Sequence, residues 1–306
     1  VGHRVVAVVV TWNRAPLLER ILRAIDTQST RPGALVVVDN ASTDETPAVL
    51  ERLAVELTTP MRVVRHERNT GGAGGFHSGL AAALEMGGAL FWLMDDDGLP
   101  PHDCLAALLP HVDRYDFLGP AVVAEGDSDR LCFPIRPPGT AVVLRDTAAL
   151  EARATDGLLE DIVIPFNGVL LSHDLVERIG LPREEFFIWG DDVEYLWRAR
   201  EAGARVATVV GSRFEHPATD DLGTPMAFGR TTYNHSPSDL KHYCMVRNNV
   251  TNLRDYGGVL RVLPFLVKTV WFYSLTRPSL HRLRLSAEAF GAAVRRDFTG
   301  HERFLR

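Results

Sequence analysis

The chain opens on a continuous apolar run, VVAVVVTW (5–12), with no polar alternation, the pattern of a strand buried on both faces of a parallel sheet. The period then changes. In PLLERILRAIDTQ, Leu17, Leu18, Ile21, Leu22 and Ile25 fall at helical spacing behind Pro16, which predicts a helix. The alternation repeats: ALVVVDN (34–40) reads as a second buried strand, and STDETPAVLERLAVEL as a second helix behind a Ser-Thr-Asp cap. MRVVRH (61–66) and ALFWLMD (89–95) are the third and fourth strands, with the Gly-rich NTGGAGGFHSGLAAALEM between them. Strands alternating with helices predict an α/β protein with a doubly wound, mostly parallel sheet, whose ligand sits at the carboxyl ends of its strands. After about residue 115 the pattern shortens to FLGPAVVAE, LCFPI and TAVVL. It continues with a helix, SHDLVERIG, the segment FFIWGDDVEYLWRAREAG and a strand, RVATVV, and from Ser236 it is helical to the end.

Polar residues gather where these strands end, at Thr11, at Asp39 and in FWLMDDDGLP (91–100), where Asp95, Asp96 and Asp97 stand side by side behind a buried run. Adjacent like charges are costly unless a cation, a set of N–H donors or open water compensates them. A solvated turn or helix cap would explain the triplet by itself. Its position favours metal binding instead, because hard carboxylate oxygens at a strand end of an open sheet suit Mg²⁺ or Mn²⁺. Asp39 also ends a strand, and since Asp44 or Ser42 can cap the next helix, Asp39 is left to accept hydrogen bonds from a base or ribose. Gly71, Gly72, Gly74 and Gly75 fit neither standard phosphate-loop spacing, and serve close backbone approach to a ligand or a tight turn.

Farther on, Asp191, Asp192 and Glu194 open a helix behind Trp189 and Gly190. Acids there suit the helix dipole, but two adjacent carboxylates on a Gly-containing turn read as a substrate-facing pair. A helix N-terminus lowers a carboxylate pKa and weakens a base, which a nearby diphosphate would offset. His216, in RFEHP, stands at a strand end and reads as a metal ligand.

Composition narrows the class. With 306 residues, 46% of them hydrophobic, the chain can bury one large core plus an accessory region. Cys104, Cys132 and Cys244 form an odd set without a C-x-x-C pair, which argues against a disulfide framework or structural zinc and fits a reducing cytoplasm. No secretory signal is legible, and the sequence begins at Val1 rather than Met. From Lys241 on there are twelve Lys and Arg against four Asp and Glu, a balance of +8 that leaves −14 on the rest of a chain whose net charge is −6. A basic tail on an acidic body predicts an anionic partner surface, nucleic acid or lipid headgroups.

Together VVVTWNR, VVVDNASTD, NTGGAGG, MDDDG, WGDDVEY and FEHP, in this order from Val5 to about Pro217, resemble an inverting glycosyltransferase of family 2 with the GT-A fold. The resemblance implies a catalytic domain at 1–235, its nucleotide-sugar half at about 1–115 and its acceptor half at 116–235, with a separate helical region at 236–306. It implies that Thr11 and Asp39 touch the nucleobase, with Arg14 and Asn69 nearby. Asp95 and Asp96 would serve the nucleotide sugar, and Asp95, Asp97 and His216 the divalent cation. Asp192 would be the base, Asp191 and Glu194 would orient the acceptor, and Trp189 would stack on its sugar. WGDDVEY and the downstream KHYCMVRNN look most like actinobacterial galactofuranosyltransferases of the galactan-initiating type. That implies transfer from UDP-galactofuranose to a polyprenyl-diphosphate-linked glycan in cell-wall synthesis, on the inner face of the cell membrane. Bacterial rhamnosyltransferases using dTDP-rhamnose share much of the pattern and stay as an alternative. The segments 127–140 and 219–235 match nothing interpretable.

The stretch 261–298 reads as a membrane-surface element, with lipid rather than nucleic acid as the anionic partner. Its apolar part, Val262 to Leu275, is interrupted by Lys268 and falls short of the ~20 residues of a spanning helix, which excludes a span on this reading. Arg277, Arg282, Arg284, Arg295 and Arg296 beside Trp271, Phe272 and Tyr273 give the composition of an interfacial anchor. Packing in the core or against a second copy of the chain is the competing reading. Two other classes stay open. A sugar-1-phosphate nucleotidyltransferase would need a Gly-rich, Lys-bearing loop after the first strand, where TWNRAP stands. A silent sugar-binding module is opposed by Asp192 and the intact Asp triplet.

Overall fold

The computed structural model describes residues 4–218 and 223–305; residues 1–3, 219–222 and 306, and with them part of the uninterpreted segment 219–235, lie outside the described residues. The chain divides into two compact units, Val1–Pro182 with Tyr195–Ala218, and Arg183–Glu194 with Thr219–Arg306.

The first unit begins with β1 (Val5–Thr11), α1 (Ala15–Asp26), β2 (Ala34–Asp39), α2 (Thr46–Glu56), β3 (Met61–Arg65), α3 (Gly71–Glu85) and β4 (Leu90–Asp95). It continues through α4 (Cys104–Leu108), β5 (Phe117–Ala124), β6 (Asp127–Ile135), β7 (Leu144–Asp146), α5 (Thr147–Arg153), β8 (Leu158–Glu160), β9 (Asn167–Ser172), α6 (His173–Ile179), the part of α7 (Asp191–Glu201) from Tyr195 on, and β10 (Val206–His216). The sheet order is β3-β2-β1-β4-β9-β5-β10-β8, with β6 and β7 branching from β5. The neighbours β3, β2, β1 and β4 are parallel, as the sequence predicts, and β5 runs parallel to β10. Between these two groups β9 is antiparallel to both of its neighbours, β8 is antiparallel to β10 and β6 to β5, so most strands share one direction and β6, β8 and β9 run against it.

All seven residues of β1 are buried, and its side chains alternate between two cores. Val5, Ala7 and Val9 face a cluster with Leu18, Ile21, Leu22 and Ile25 of α1. Val6, Val8 and Val10 face another with Phe76 and Leu80 of α3. The glycines of α3 explain how closely it lies on the sheet. A Cβ on Gly75 would fall 2.3 Å from Val10 Cγ1, and one on Gly79 2.5 Å from Val8 Cγ1. Gly75, one of the glycines singled out from the sequence, and Gly79 therefore serve close approach of α3 to β1. Only Gly71, at φ +72, serves the turn that starts the helix.

The second unit holds the turn Glu184–Phe186, the hairpin of β11 (Thr224–Met226) and β12 (Thr231–Tyr233), and the helices α8 (Asp239–Gly257), α9 (Val262–Trp271) and α10 (Leu280–Arg295). Its core is formed by Phe187, Tyr233, Cys244, Val250, Phe272, Tyr273, Leu285 and Ala289 with their neighbours. Two expectations about its tail are corrected. Phe272 and Tyr273 are core residues, leaving only Trp271 of the three aromatics exposed. Arg282 is not a free cation: it is buried, pairs with Asp239 Oδ1 at 2.9 Å, and donates to the carbonyls of Pro237 and Ser238. The apolar run is also longer than the sequence limit. Val259–Thr276 forms 18 helical residues of mean hydropathy 1.3, enough by length and composition to cross a membrane, so length does not exclude a span.

Candidate active site

The Asp triplet follows β4, and backbone pairing fixes its surroundings. Leu99 and Glu215 form an isolated antiparallel bridge, Leu99 N–H to Glu215 O at 2.7 Å and Glu215 N–H to Leu99 O at 2.9 Å. The bridge brings the end of β10 beside the triplet. Gly98 must be glycine here, because a Cβ would meet the ring of Phe214 at 2.1 Å. As a result His216 Nε2 lies 3.3 Å from Asp97 Oδ1. The other ring nitrogen, Nδ1, is 3.0 Å from the carbonyl of Pro217 and 3.5 Å from Cys132 Sγ, which leaves Nε2 as the one facing the carboxylate.

An arginine answers most of the charge problem. Arg14 Nη1 donates to Asp96 Oδ1 at 2.9 Å and to Asp97 Oδ2 at 2.8 Å, while the Thr11 hydroxyl donates to Asp96 Oδ2 at 2.6 Å. Burial is the largest influence on Asp96 and holds its pKa above the usual range despite those donors. For Asp97 burial also works upward, but His216 and Arg14 outweigh it and hold the carboxyl below the usual range. Burial works to lower His216, yet its contacts with the Asp97 carboxylate and Cys132 push it up to about 10.

Among the described residues no three His, Cys, Asp or Glu side chains converge to hold a metal by themselves. Asp97 and His216 still fit one as a pair of ligands: Asp97 Oδ1 is buried without a hydrogen bond and faces an imidazole nitrogen. A carboxylate with an imidazole would suit Mn²⁺ better than the all-oxygen preference of Mg²⁺. Asp95, the last residue of β4, is half-buried and already engaged in interactions of its own.

Two other strand-end residues are less available than the sequence suggests. Asp39 is fully buried; its Oδ1 accepts from Ser42 N–H at 2.9 Å and its Oδ2 from Arg65 Nε at 3.0 Å, so it is not left free for a base. A base could take Oδ2 only if the half-exposed Arg65 swung aside. Asn69 Oδ1 accepts from Gly71 N–H at 2.7 Å and so shapes the start of α3.

In the second unit the turn before α7 is strained. Phe187 lies at φ +64 and ψ −65, with Ile188 N–H bonded to Phe186 O at 2.8 Å, which is a γ-turn of the rare positive form; Trp189 follows at φ +67 and Gly190 at φ +86. Non-glycine residues in such regions cost on the order of 1–3 kcal/mol each, and they persist only where the surroundings over-determine them. Asp191 is buried and Asp192 half-buried, with Asp192 Oδ1 accepting from Val193 N–H at 2.7 Å. Burial raises both carboxyls, and the charge of Asp192 adds to the rise at Asp191. The weakening expected of a helix N-terminus is therefore overcome by desolvation in the protein itself. Trp189 is half-buried against the core of this unit. Glu194 does not stand open to an acceptor: it is 1% exposed, and its Oε1 accepts from the Tyr256 hydroxyl at 2.5 Å.

The residues that hold this turn were not among those expected. Asn248 and Asn252 of α8 donate to its carbonyls, and Arg247 joins them. The available signal was asparagine, a poor helix former, recurring at i and i+4 inside an otherwise good helix.

The chain matches the sequence profile of glycosyl transferase family 2 over residues 6–167. It is 32% identical over 285 residues to galactofuranosyltransferase GlfT1 of Mycolicibacterium smegmatis, covering 92% of this chain and 93% of that one. The galactofuranosyltransferase GlfT1 of Mycobacterium tuberculosis is also 32% identical, over 276 residues, covering 89% and 90%. Similar solved folds include S. aureus TarS 1-349, with TM-score 0.61, 15% identity and coverage of 96% and 82%. Another is the mannosyltransferase PcManGT of Pyrobaculum calidifontis in complex with GDP-Man and Mn²⁺, with TM-score 0.56, 21% identity and coverage of 99% and 78%.

Proposed function

The chain belongs to glycosyl transferase family 2, and on that premise we propose that it transfers galactofuranose from UDP-galactofuranose to a polyprenyl-diphosphate-linked glycan in cell-wall galactan synthesis. The observation that carries the choice of sugar is similarity over about nine-tenths of the chain to galactofuranosyltransferases. The donor's nucleotide diphosphate meets Thr11, Asp95 and Asp96 with Arg14 and Asn69 on the adjoining loops, while Asp39, held by Ser42 and Arg65, shapes the site from behind. Asp97 and His216 would hold a divalent cation, Mn²⁺ or Mg²⁺, and the charge it supplies would neutralise the departing diphosphate. The mannosyltransferase solved with GDP-Man and Mn²⁺ supports use of a divalent cation by likeness of fold alone, and says nothing of which residues hold it.

Asp192 takes the proton of the acceptor hydroxyl as the new C1–O bond forms and the C1–O bond to UDP breaks, with inversion at the anomeric carbon. Its burial-raised pKa suits a base. Trp189 stacks on the acceptor sugar, while Asp191 and Glu194 act from behind, since both are covered.

The tail brings the enzyme to the cytoplasmic membrane face as a peripheral protein. Val259, Leu260, Leu263, Val267, Val270, Trp271 and Leu275 are exposed along one stretch, beside the exposed Arg261, Arg277 and Arg284. Val262, Thr269, Phe272 and Tyr273 are buried in the unit, and the Thr269 hydroxyl lies 3.1 Å from that of Tyr233. A helix tied down on one side and apolar on the other suits lying in an interface better than spanning it. Covering of the same face by a second copy of the chain is the competing outcome.

Turnover with UDP-galactofuranose and with dTDP-rhamnose on a polyprenyl-linked acceptor tests the reading. Transfer from the first donor is expected; transfer from dTDP-rhamnose alone would reassign the enzyme as a rhamnosyltransferase.

A further inference from the structure

The turn that precedes Asp191 has little local reason to hold its shape. Its positive-φ residues disfavour it, and its carbonyls point away from any regular ladder. What meets those carbonyls is one face of α8. Asn248 Nδ2 shares its two N–H groups among Phe186 O at 3.0 Å, Ile188 O at 3.1 Å and Trp189 O at 2.7 Å. One turn later Asn252 Nδ2 donates to Gly190 O at 2.8 Å. One turn later again the Tyr256 hydroxyl donates to Glu194 at 2.5 Å. Beside them the buried Arg247 donates through Nη2 to Phe186 O at 3.0 Å, and its Nε donates to Asn248 Oδ1 at 3.0 Å, which fixes which way that amide faces.

We propose that Asn248, Asn252 and Tyr256, recurring every fourth residue along α8, form a positioning ladder that fixes the direction in which Asp192 is presented. The ladder rests on the assignment of Asp192 as base. None of the three is a catalytic residue, because each acts on the backbone or side chains around Asp191 and Asp192. The four-residue repeat keeps all three donors on one helical face, and together they meet the chain from Phe186 through Gly190 to Glu194. A salt bridge at this position would add a charge beside two carboxylates. Neutral amide and phenol donors hold the turn without shifting those groups, and the buried Arg247 is spent on carbonyls.

The test is a double-mutant cycle. Asn252→Ala removes a single hydrogen bond, and Tyr256→Phe removes only a hydroxyl, so at least one of the two is expected to fold even where Asn248→Ala does not. Each is expected to lower kcat roughly 10- to 100-fold, the loss typical of a small misplacement of a reacting group, with donor KM and melting temperature retained. In an Asp192→Asn background the same substitutions are expected to cost nothing further, because the group they position is gone. Equal losses in both backgrounds, or a loss seen in donor KM or melting temperature instead, would overturn the ladder. If Asp192→Asn alone leaves turnover intact, the base assignment fails by itself. The cycle is then closed with Asp191→Asn, and additivity there too rejects the ladder.

Discussion

His216 Nε2 faces Asp97 Oδ1 at 3.3 Å because the chain pairs Leu99 with Glu215 just beside them. The meeting is built by backbone hydrogen bonds, not by the attraction of the two side chains, so either can be replaced without losing the frame that aligns them. Asp97→Asn is expected to keep the fold and weaken Mn²⁺ uptake in the presence of UDP, measured by calorimetry. Turnover should fall ~10²–10³-fold, the scale of removing one strong stabiliser of developing charge. Undiminished turnover in EDTA would remove the cation from the scheme.

The desolvated pair that opens α7 gives a second expectation. Asp192→Asn should lose ~10²–10⁴ in turnover and retain donor binding, whereas Asp191→Asn should lose less, since Asp191 is the more deeply covered of the two. The reverse order would move the base by one residue. A covalent sugar–protein adduct detected by mass spectrometry would reject single displacement.

For the exposed stripe of α9, flotation with vesicles containing anionic lipid should recover the protein at low salt and less of it at high salt. Arg277→Gln with Arg284→Gln should reduce recovery, while Leu263→Glu with Val267→Glu should abolish it. Arg282 and Arg296 are poor choices for this test, since the first is buried against Asp239 and the second pairs with Asp255 at 3.1 Å. Recovery independent of lipid charge, or a concentration-dependent dimer lost in the Glu variants, would assign the face to another partner.

A buried histidine sets a pH limit on stability. His242 Nε2 lies 2.9 Å from the Ser286 hydroxyl and Nδ1 3.2 Å from that of Tyr273. Burial first, then the charges of Arg282 and His235, push it down to about 4. A depressed histidine stays neutral in the fold while the unfolded chain takes up a proton near pH 6.5. The stability it protects is therefore whole above about pH 6.5 and is lost as pH falls toward 4, by about 1.4 kcal/mol per unit and roughly 3 kcal/mol in all. Urea midpoints between pH 7 and 4.5 should fall more steeply for the natural chain than for His242→Gln. Parallel curves would show that His242 does not govern this range.

How much of this was legible follows from how locally each feature is encoded. β1, β2, β4 and α1 announce themselves through period, because a doubly buried strand and an amphipathic helix each leave a pattern within ten residues. α3 was hidden, since a run with Gly74 and Gly75 reads as a turn until the side chains of Val10 and Val8 are seen occupying the space a Cβ on Gly75 or Gly79 would need. The reversed β9 leaves no mark of direction in NGVLLS. The Asp triplet was recognisable as a cost, but its main compensation comes from Arg14 on another loop, and sequence cannot show which cation meets which carboxylate. Asp39 shows the opposite failure: its position at a strand end was right, and its freedom was not, because Arg65 on the neighbouring strand had already taken it.

The amide ladder of α8 also sets an order of events during synthesis. Each of its bonds joins residues 59 to 62 positions apart. Contacts of that span form only after the cost of closing a long loop has been met. A ribosome-bound chain that has emerged only as far as His235 already contains every carboxylate assigned to the chemistry, but has nothing to hold the turn that carries the proposed base. Pulse-labelled hydrogen exchange should find the Ile188 amide protected no earlier than the amides of α8; earlier protection would mean that the turn is self-supporting. Inactivity of the unfinished enzyme is then a matter of timing, and the last quarter of the chain decides when the first three-quarters can begin to transfer sugar.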